Sequence, residues 1–214
     1  MSALTNTFFL TYVVLFTTGT ITFIESIRTA NSAIRHILNL ETCISIVAVF
    51  FYTQFMKMIQ TNNINFAEIT RLRYVDWSIT TPMMILALTL VLSFNSKQRV
   101  SLQNYILLIL LNYGMLYMGY LGESGRMDKV KASIAGFVFF FAMFAFIWVL
   151  FLMNSKSMNS LVIYSLYFVV WAIYGIVYFL NEKNKNISYN VLDLIAKGLI
   201  GIGLWTYLAD VIDY

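Results

Sequence analysis

The side chains with the clearest chemical potential in this sequence are a lysine and an aspartate inside a long apolar run. Lys197 and Asp193 lie within residues 191–205, a stretch with the length and apolarity of a membrane-spanning helix. A charge near the centre of such a helix costs about 3 kcal/mol or more, so it is rare unless it serves a function. Their spacing of one helical turn places both side chains on one helix face. The pair is therefore either a structural ion pair or an amine that holds a cofactor as a Schiff base beside a carboxylate.

Other charged and polar side chains fall inside apolar segments and follow a helical pattern. Arg73, Asp76, Thr80 and Ala87 recur at spacings that stack them along one face of a helix. Asp76 and Lys197 lie at similar depths from the same membrane side, so two carboxylates can flank one lysine-derived cation. Buried charges of this kind should compensate one another, although such pairs also serve simply to hold helices together. Apart from the helix ends and the connectors, the charged residues within the predicted spans are Glu41, Arg73, Asp76, Asp193 and Lys197.

The composition indicates a helical membrane protein. Of the 214 residues, 60% are hydrophobic and 11% are charged, whereas a soluble domain has about 25% charged residues. The apolar segments are too long for the strands of a membrane barrel, which leaves helices as the elements that cross the bilayer. Cys43 is the only cysteine and His36 the only histidine, which argues against a disulfide or a cysteine or histidine metal site. The net charge of +4 is spread over connectors, so no nucleic-acid partner is expected.

Polar interruptions divide the chain into seven apolar segments, each near or above the ~20 residues that a spanning helix needs. The short connectors make neighbouring helices antiparallel, which predicts one domain over residues 1–214. The fold class is an all-α membrane protein, a seven-transmembrane-helix up-down bundle. The distribution of lysine and arginine over the connectors mildly opposes an extracellular N-terminus. The predicted helices are approximately 5–28, 33–60, 67–93, 101–121, 127–153, 159–181 and 188–212.

Aromatic residues accompany the buried charges. Trp77 follows Asp76 directly, and Trp171, Tyr174 and Tyr178 recur at spacings of three and four. These residues lie on faces consistent with lining one cavity. Ordinary helix packing is the alternative, and it would be the favoured interpretation of such a stripe if Lys197 were absent.

Several runs together resemble the microbial (type 1) rhodopsins. The run from Arg73 to Pro82 closely resembles helix C of that family, and the run from Asp193 to Lys197 resembles the retinal-binding segment of its helix G. Residues 171–174 resemble the pocket wall of helix F, and residues 112–119 resemble part of helix D. The resemblance covers all seven helices in order and spacing.

The resemblance implies all-trans retinal in the core of the bundle, bound to Lys197 as a protonated Schiff base. It makes Asp76 the primary counterion and the acceptor of the Schiff-base proton, and Asp193 the second counterion. Thr80 would tune Asp76, and Arg73 would help to expel a proton. The remaining residues implied to line the retinal pocket are Trp77, Thr81, Met115, Gly119, Trp171, Tyr174 and Tyr178.

The family also implies a multi-pass membrane protein that is not an enzyme. Its first terminus would be extracellular, and it would form a homo-oligomer, a trimer or a pentamer. The expected partners are retinal, protons or small cations, and the lipid bilayer. Met84 in place of a glutamine after the Thr-Thr-Pro motif predicts green rather than blue absorption.

One departure from the pattern of outward proton pumps concerns the proton donor. Such pumps usually carry a carboxylic acid on helix C at the position of Ala87, and alanine cannot donate a proton. Glu41, on the second segment at a similar depth, is the candidate substitute. Apolar surroundings favour the protonated form of a carboxylic acid, as a donor requires. The alternative is that Glu41 snorkels or is simply hydrogen-bonded within its helix.

Three functions remain open at this stage. The first is a light-driven outward proton pump in which the Schiff base transfers its proton to Asp76. The second is a light-gated cation channel, with Glu41, Thr42 and Ser45 lining a hydrated path. The third is a sensory photoreceptor, which would require a separate transducer because no signalling domain follows the last helix. The residues Asp76, Thr80 and Ala87 argue against chloride and sodium pumping.

Overall fold

The structure, a computed structural model, describes residues 3–60, 64–153 and 157–209. Over these residues the chain forms seven helices and no strand. All seven are long and apolar enough to cross a membrane. The helices are α1 (Ala3–Arg28), α2 (Ser32–Ile59), α3 (Phe66–Ser96), α4 (Leu102–Glu123), α5 (Lys129–Leu152), α6 (Met158–Val177) and α7 (Glu182–Leu208).

Side-chain caps mark the starts of six helices, α2 to α7. Asn31 accepts hydrogen bonds from the backbone N–H groups of residues 33 and 34, and Ser101 accepts one from residue 104. Asp128 and Asn181 cap α5 and α7 in the same way, because the side-chain oxygen of each accepts from the backbone N–H three residues later. These caps satisfy backbone donors that a helix leaves unpaired at its start, so each helix begins at a defined residue.

The predicted boundaries are least accurate around α6 and α7. The sixth helix ends at Val177 rather than 181, because residues 178–180 form a turn. The seventh begins at Glu182 rather than 188, since its first turns are polar and a search for apolar runs misses them. The predicted connector 61–63, residues 154–156 of the predicted connector 154–157, and the predicted end of the last helix at 212 lie outside the described residues.

Two helices contain π-helical turns, which the sequence analysis did not predict. One closes α5 over Trp148–Leu152, and the other interrupts α7 over Leu194–Leu199. The second contains Lys197, and the N–H of Ile200 bonds to the carbonyl of Ile195, five residues back. Single π turns inside α-helices are rare and are found frequently at functional sites.

The described residues divide into two compact units, residues before 70 together with those from 170 onward, and residues 70–169. In the first unit α1 packs against α2 and α7. Glycines permit close approach, because a Cβ at Gly19 would lie 3.0 Å from the Cβ of Ser45, and one at Gly198 would lie 2.7 Å from Val14 Cγ1. The first unit therefore depends on close backbone contact along α1.

In the second unit α3 accommodates a proline in its interior. Pro82 has no N–H to donate to the carbonyl of Ser78, four residues earlier. The Tyr113 hydroxyl of α4 donates to that carbonyl at 3.1 Å, and the Tyr105 hydroxyl donates to the carbonyl of Pro82 at 3.0 Å. Two phenols from α4 thus hold α3 at its weakest turn.

Candidate functional site

The first unit contains the predicted lysine and aspartate as a buried pair. Lys197 Nζ lies 3.7 Å from Asp193 Oδ1, and the residues are 2% and 0% exposed. A pair this deep is stable only when further hydrogen bonds compensate the loss of water. The arrangement offers an amine for covalent attachment together with an anion that balances a positive charge on it.

Two phenols supply the hydrogen bonds that a buried carboxylate needs. Tyr174 Oη of α6 donates to Asp193 Oδ1 at 2.7 Å, and Tyr52 Oη of α2 donates to Oδ2 at 2.9 Å. Bonds to a charged acceptor are about twice as strong as neutral ones. Asp193 is therefore fixed in orientation by two neighbouring helices.

A second layer of polar contacts continues from this carboxylate toward the first turns of α7. Asn190, one turn before Asp193, has its Oδ1 3.3 Å from Tyr52 Oη. Its Nδ2 donates to Thr7 Oγ1 of α1 at 3.1 Å, and Thr11 Oγ1 donates to its backbone carbonyl at 2.9 Å. Three helices of the first unit thus share one hydrogen-bonded network.

Glu41 lies elsewhere in the same unit, on α2 and against α7. It is 2% exposed, and its Oε2 lies 3.0 Å from the position that a Cβ on Gly201 would take. Neither its Oε1 nor the Oγ of Ser45, one turn further along α2, has a hydrogen-bond partner among the described residues. Buried polar atoms are nearly always paired, so exceptions of this kind call for a functional explanation.

In the second unit, α3 holds the other predicted carboxylate in a buried position. Asp76 and Thr80 are 0% exposed and Arg73 is 1% exposed. The Thr80 hydroxyl donates to the backbone carbonyl of Asp76 at 2.9 Å, and it lies 3.4 Å from Asp76 Oδ1. Ala87, further along this helix, is also fully buried. These residues occupy one helix face, as their spacing predicts.

The predicted pocket residues of the second unit gather around a tyrosine and an asparagine. The rings of Tyr74 and Trp77 meet edge-on with centroids 5.1 Å apart. A Cβ at Gly119 would come within 2.7 Å of Tyr74 Oη, so a larger residue there would displace the Tyr74 phenol. Asn112 Nδ2 donates to Thr81 Oγ1 at 2.8 Å, which ties α4 to α3. Met115 lies half-buried on the same helix, one turn after Asn112.

The predicted aromatic residues near the end of α6 belong to the first unit. Trp171 and Tyr178 are 8% and 4% exposed, and Tyr174 bonds to Asp193. Tyr178 lies in the turn after the helix rather than on a helix face. The structure therefore joins Tyr174 directly to the Lys197 pair, while the other two residues are buried aromatic groups of the same unit.

Three polar residues of this unit were missed in the sequence analysis. No sequence pattern marked Tyr52 and Asn190 as site residues, because their hydrogen-bond partners lie on other helices. Lys185 was assigned to a connector, yet it is a fully buried residue of α7 whose Nζ lies 2.7 Å from Oε1 of the half-exposed Glu182. The N-cap at Asn181 was the signal that could have placed it in the helix.

Comparison with known proteins gives consistent matches over nearly the whole chain. The sequence model of the bacteriorhodopsin-like proteins matches residues 3–211. The solved structure of the viral rhodopsin OLPVRII is similar with a TM-score of 0.93 and 42% identity, covering 99% of this chain and 100% of that one. The structure of a blue light-absorbing proteorhodopsin from Med12 has a TM-score of 0.76 at 24% identity, over 98% of each chain. These matches confirm the predicted seven-helix fold class.

A sequence relative covers a smaller part of the molecule. The green-light absorbing proteorhodopsin of Gamma-proteobacterium EBAC31A08 is 29% identical over 151 residues, which are 64% of this chain and 60% of that protein. The chain therefore aligns with less than two thirds of the length of this relative.

Proposed function

Because the chain belongs to the bacteriorhodopsin-like family of microbial (type 1) rhodopsins and therefore binds retinal, we propose that it is a light-driven pump that moves protons outward across a membrane. The predicted family and cofactor are thereby confirmed, and the seven apolar helices make it a multi-pass membrane protein. The observation that carries the proposal is a set of buried carboxyl groups, Asp76, Asp193 and Glu41, in a chain that also buries the amine of Lys197 beside Asp193.

The residues around the lysine fit the cofactor. An amine that holds retinal must be buried and must have an anion beside it, and Lys197 with Asp193 meets both conditions. Retinal, when bound, supplies a light-dependent change of shape and an exchangeable proton at Lys197 Nζ. Tyr52 and Tyr174 keep the Asp193 oxygens in place while the charge on that nitrogen changes. We propose that Trp171 and Tyr178 add apolar walls that exclude water.

We propose Asp76 as the proton acceptor. Its complete burial and its position beside the Thr80 hydroxyl support this role. The Thr80 proton is already directed to the backbone carbonyl of Asp76, so it gives the carboxylate only a weak second contact at 3.4 Å. Arg73, one turn before it, would stabilise the negative charge when the proton has left.

We propose Glu41 as the internal proton donor in place of Ala87. Its burial and the unpartnered Oε1 favour the neutral, protonated carboxyl group, because a buried isolated charge is costly. Contact with Gly201 on α7, one turn beyond Lys197, places the carboxyl group beside the helix that carries the amine. Ser45, one turn further along α2, adds a second buried polar group without a hydrogen-bond partner among the described residues.

The test is the photocurrent of the retinal-loaded protein in a planar bilayer as voltage and pH gradient are varied. A pump gives outward current at zero voltage without a gradient. Glu41→Gln should slow recovery of the light cycle by about 10²-fold or more, the usual contribution of a positioned acid, and azide should restore it. Glu25→Gln, an acid near the end of α1 paired with Arg28, is the matched control and should recover at the normal rate. Unchanged recovery in Glu41→Gln refutes the donor role.

A light-gated cation channel is the second candidate, favoured by the polar face of α2. Glu41, Thr42 and Ser45 are all buried on that helix, and two of them have polar atoms without partners among the described residues. Such a face can border a hydrated path. A current that reverses with the cation gradient would identify a channel, whereas a slow light cycle without current would favour a sensory receptor.

Orientation and assembly are separate parts of the proposal. The family topology, with the N-terminus outside, makes the current outward, so the sign of the current in protein of known insertion tests it. The homo-oligomer, a trimer or a pentamer, stays a prediction that native mass spectrometry of the detergent-purified protein can check.

A further inference from the structure

The Tyr52 hydroxyl has two acceptors but only one proton. Its oxygen lies 2.9 Å from Asp193 Oδ2 and 3.3 Å from Asn190 Oδ1. A phenol donates a single hydrogen bond, so the two acceptors compete for it. A charged carboxylate is the stronger acceptor, which explains the shorter distance to Asp193.

The orientation of the Asn190 amide is fixed by its neighbours on α1. The Thr7 hydroxyl donates to the carbonyl of Leu4 at 2.9 Å, so toward Asn190 its oxygen acts as an acceptor. The contact of 3.1 Å between that oxygen and Asn190 must therefore involve the amide nitrogen. The amide oxygen consequently faces Tyr52, where it can only accept.

We propose that Asn190 is a positioning residue whose amide oxygen provides a second hydrogen-bond acceptor for the Tyr52 hydroxyl. While Asp193 is ionised, Tyr52 donates to it. When Asp193 loses its negative charge, the hydroxyl turns about its C–O bond and donates to Asn190, so that no heavy atom has to move far. Tyr174 remains on the other carboxyl oxygen. The buried phenol thus keeps a good acceptor in both states, although the neutral carboxyl group accepts hydrogen bonds more weakly than the ionised one.

The physical advantage is that Asn190 reduces the coupling between the charge of Asp193 and the rest of the network. Without it, neutralisation of Asp193 would leave the Tyr52 hydroxyl facing a weaker, uncharged acceptor at the contact of α2 and α7. Thr7 and Thr11 hold Asn190 from α1, so the second acceptor is in place before it is needed. This inference rests on the proposed function in one respect only: the proposed light-driven proton transfer is the event that changes the charge of Asp193.

The experiment is a double-mutant cycle read in the dark from the infrared band of the Tyr52 phenol, assigned by its loss in Tyr52→Phe. Asp193→Asn neutralises the first acceptor, and Asn190→Leu removes the second. We expect Asn190→Leu to leave the Tyr52 band nearly unchanged in the wild-type background. In the Asp193→Asn background it should shift the band toward that of a less strongly bonded hydroxyl. Equal effects in both backgrounds, including no effect in either, would overturn the proposal.

Two further variants keep this result interpretable. Thr7→Val retains Asn190 but removes the acceptor that orients its amide, so it should split or broaden the Tyr52 band in the Asp193→Asn background. A single unchanged band there contradicts the proposal even if Asn190→Leu does not fold. Asn112→Leu, at the buried asparagine of the second unit, is the control and should leave the band unchanged. Because these spectra require no photocurrent, failure of the pump proposal and failure of this one are distinguishable.

Discussion

Replacement of Gly201 by alanine tests the close contact between α7 and the region around Glu41. The added Cβ would lie 2.8 Å from Thr18 Cγ2 and 3.0 Å from Glu41 Oε2. The carboxyl end of Glu41 can move aside, whereas Thr18 is held by its hydroxyl, which donates to the carbonyl of Val14 at 2.9 Å and lies 3.2 Å from the carbonyl of Gly198. The clash with Thr18 therefore dominates.

The magnitude follows from two opposing contributions. Overpacking of a close-packed interior costs about 1–3 kcal/mol, and alanine in place of a helical glycine contributes about 1 kcal/mol of stabilisation. Gly201→Ala should therefore lower the free energy of unfolding by about 0–2 kcal/mol. Gly203→Ala is the matched control on the same helix, because nothing lies within 4 Å of its added Cβ and the residue is exposed. The control should gain stability, which leaves a difference of about 1–3 kcal/mol between the variants.

The assay is unfolding of the purified protein by dodecyl sulfate in mixed micelles, followed by loss of helix signal. Recovery of the light cycle is measured in parallel, and it should slow in Gly201→Ala but not in Gly203→Ala, because only the first displaces Glu41. If the two variants are equally stable, the contact of α7 with Thr18 is not as tight as the distances indicate, and the reasoning fails.

Three other substitutions probe separate contacts. Lys197→Ala should abolish visible absorption after addition of retinal while circular dichroism still reports a helical protein; a normal visible band would refute the attachment site. Tyr174→Phe removes a 2.7 Å hydrogen bond to Asp193 and should destabilise the protein by about 1.5–3 kcal/mol in the dodecyl sulfate assay, with a shift of the absorption maximum; no change in either quantity would contradict its role. Tyr113→Phe leaves the carbonyl of Ser78 without its phenol donor and should cost about 1 kcal/mol without altering the absorption maximum.

The parts of the site that could be predicted from sequence are those encoded within a single helix. The contact of Lys197 with Asp193 follows from a spacing of one turn, and so does the alignment of Thr80 with Asp76. Burial of these charges follows from the apolar runs that contain them. The runs also gave the number and approximate bounds of the helices, because seven stretches exceed the length that a bilayer requires.

The parts that escaped prediction depend on contacts between distant segments or on polar helix ends. The bond between Asn190 and Thr7 joins residues 183 positions apart, and no local pattern specifies which residues of α1 will meet α7. Lys185 was assigned to a loop because polarity was equated with exposure, although burial beside Glu182 removes it from solvent. The partner of a polar residue is a property of packing, which a single sequence does not state.

The π turn in α7 has a consequence for insertions and deletions in this gene. It carries one residue more than a regular turn, so the chain after Leu199 is rotated by about 100° relative to an uninterrupted helix. Removal of one residue between 194 and 199 would restore regular winding and turn Gly201 away from Thr18 and Glu41. Such a deletion would preserve the apolarity of the span. It would nevertheless bring another residue to the position of Gly201, where Thr18 and Glu41 leave no space for a larger side chain. Gaps in alignments of related sequences should therefore avoid this segment, even though its composition would tolerate them.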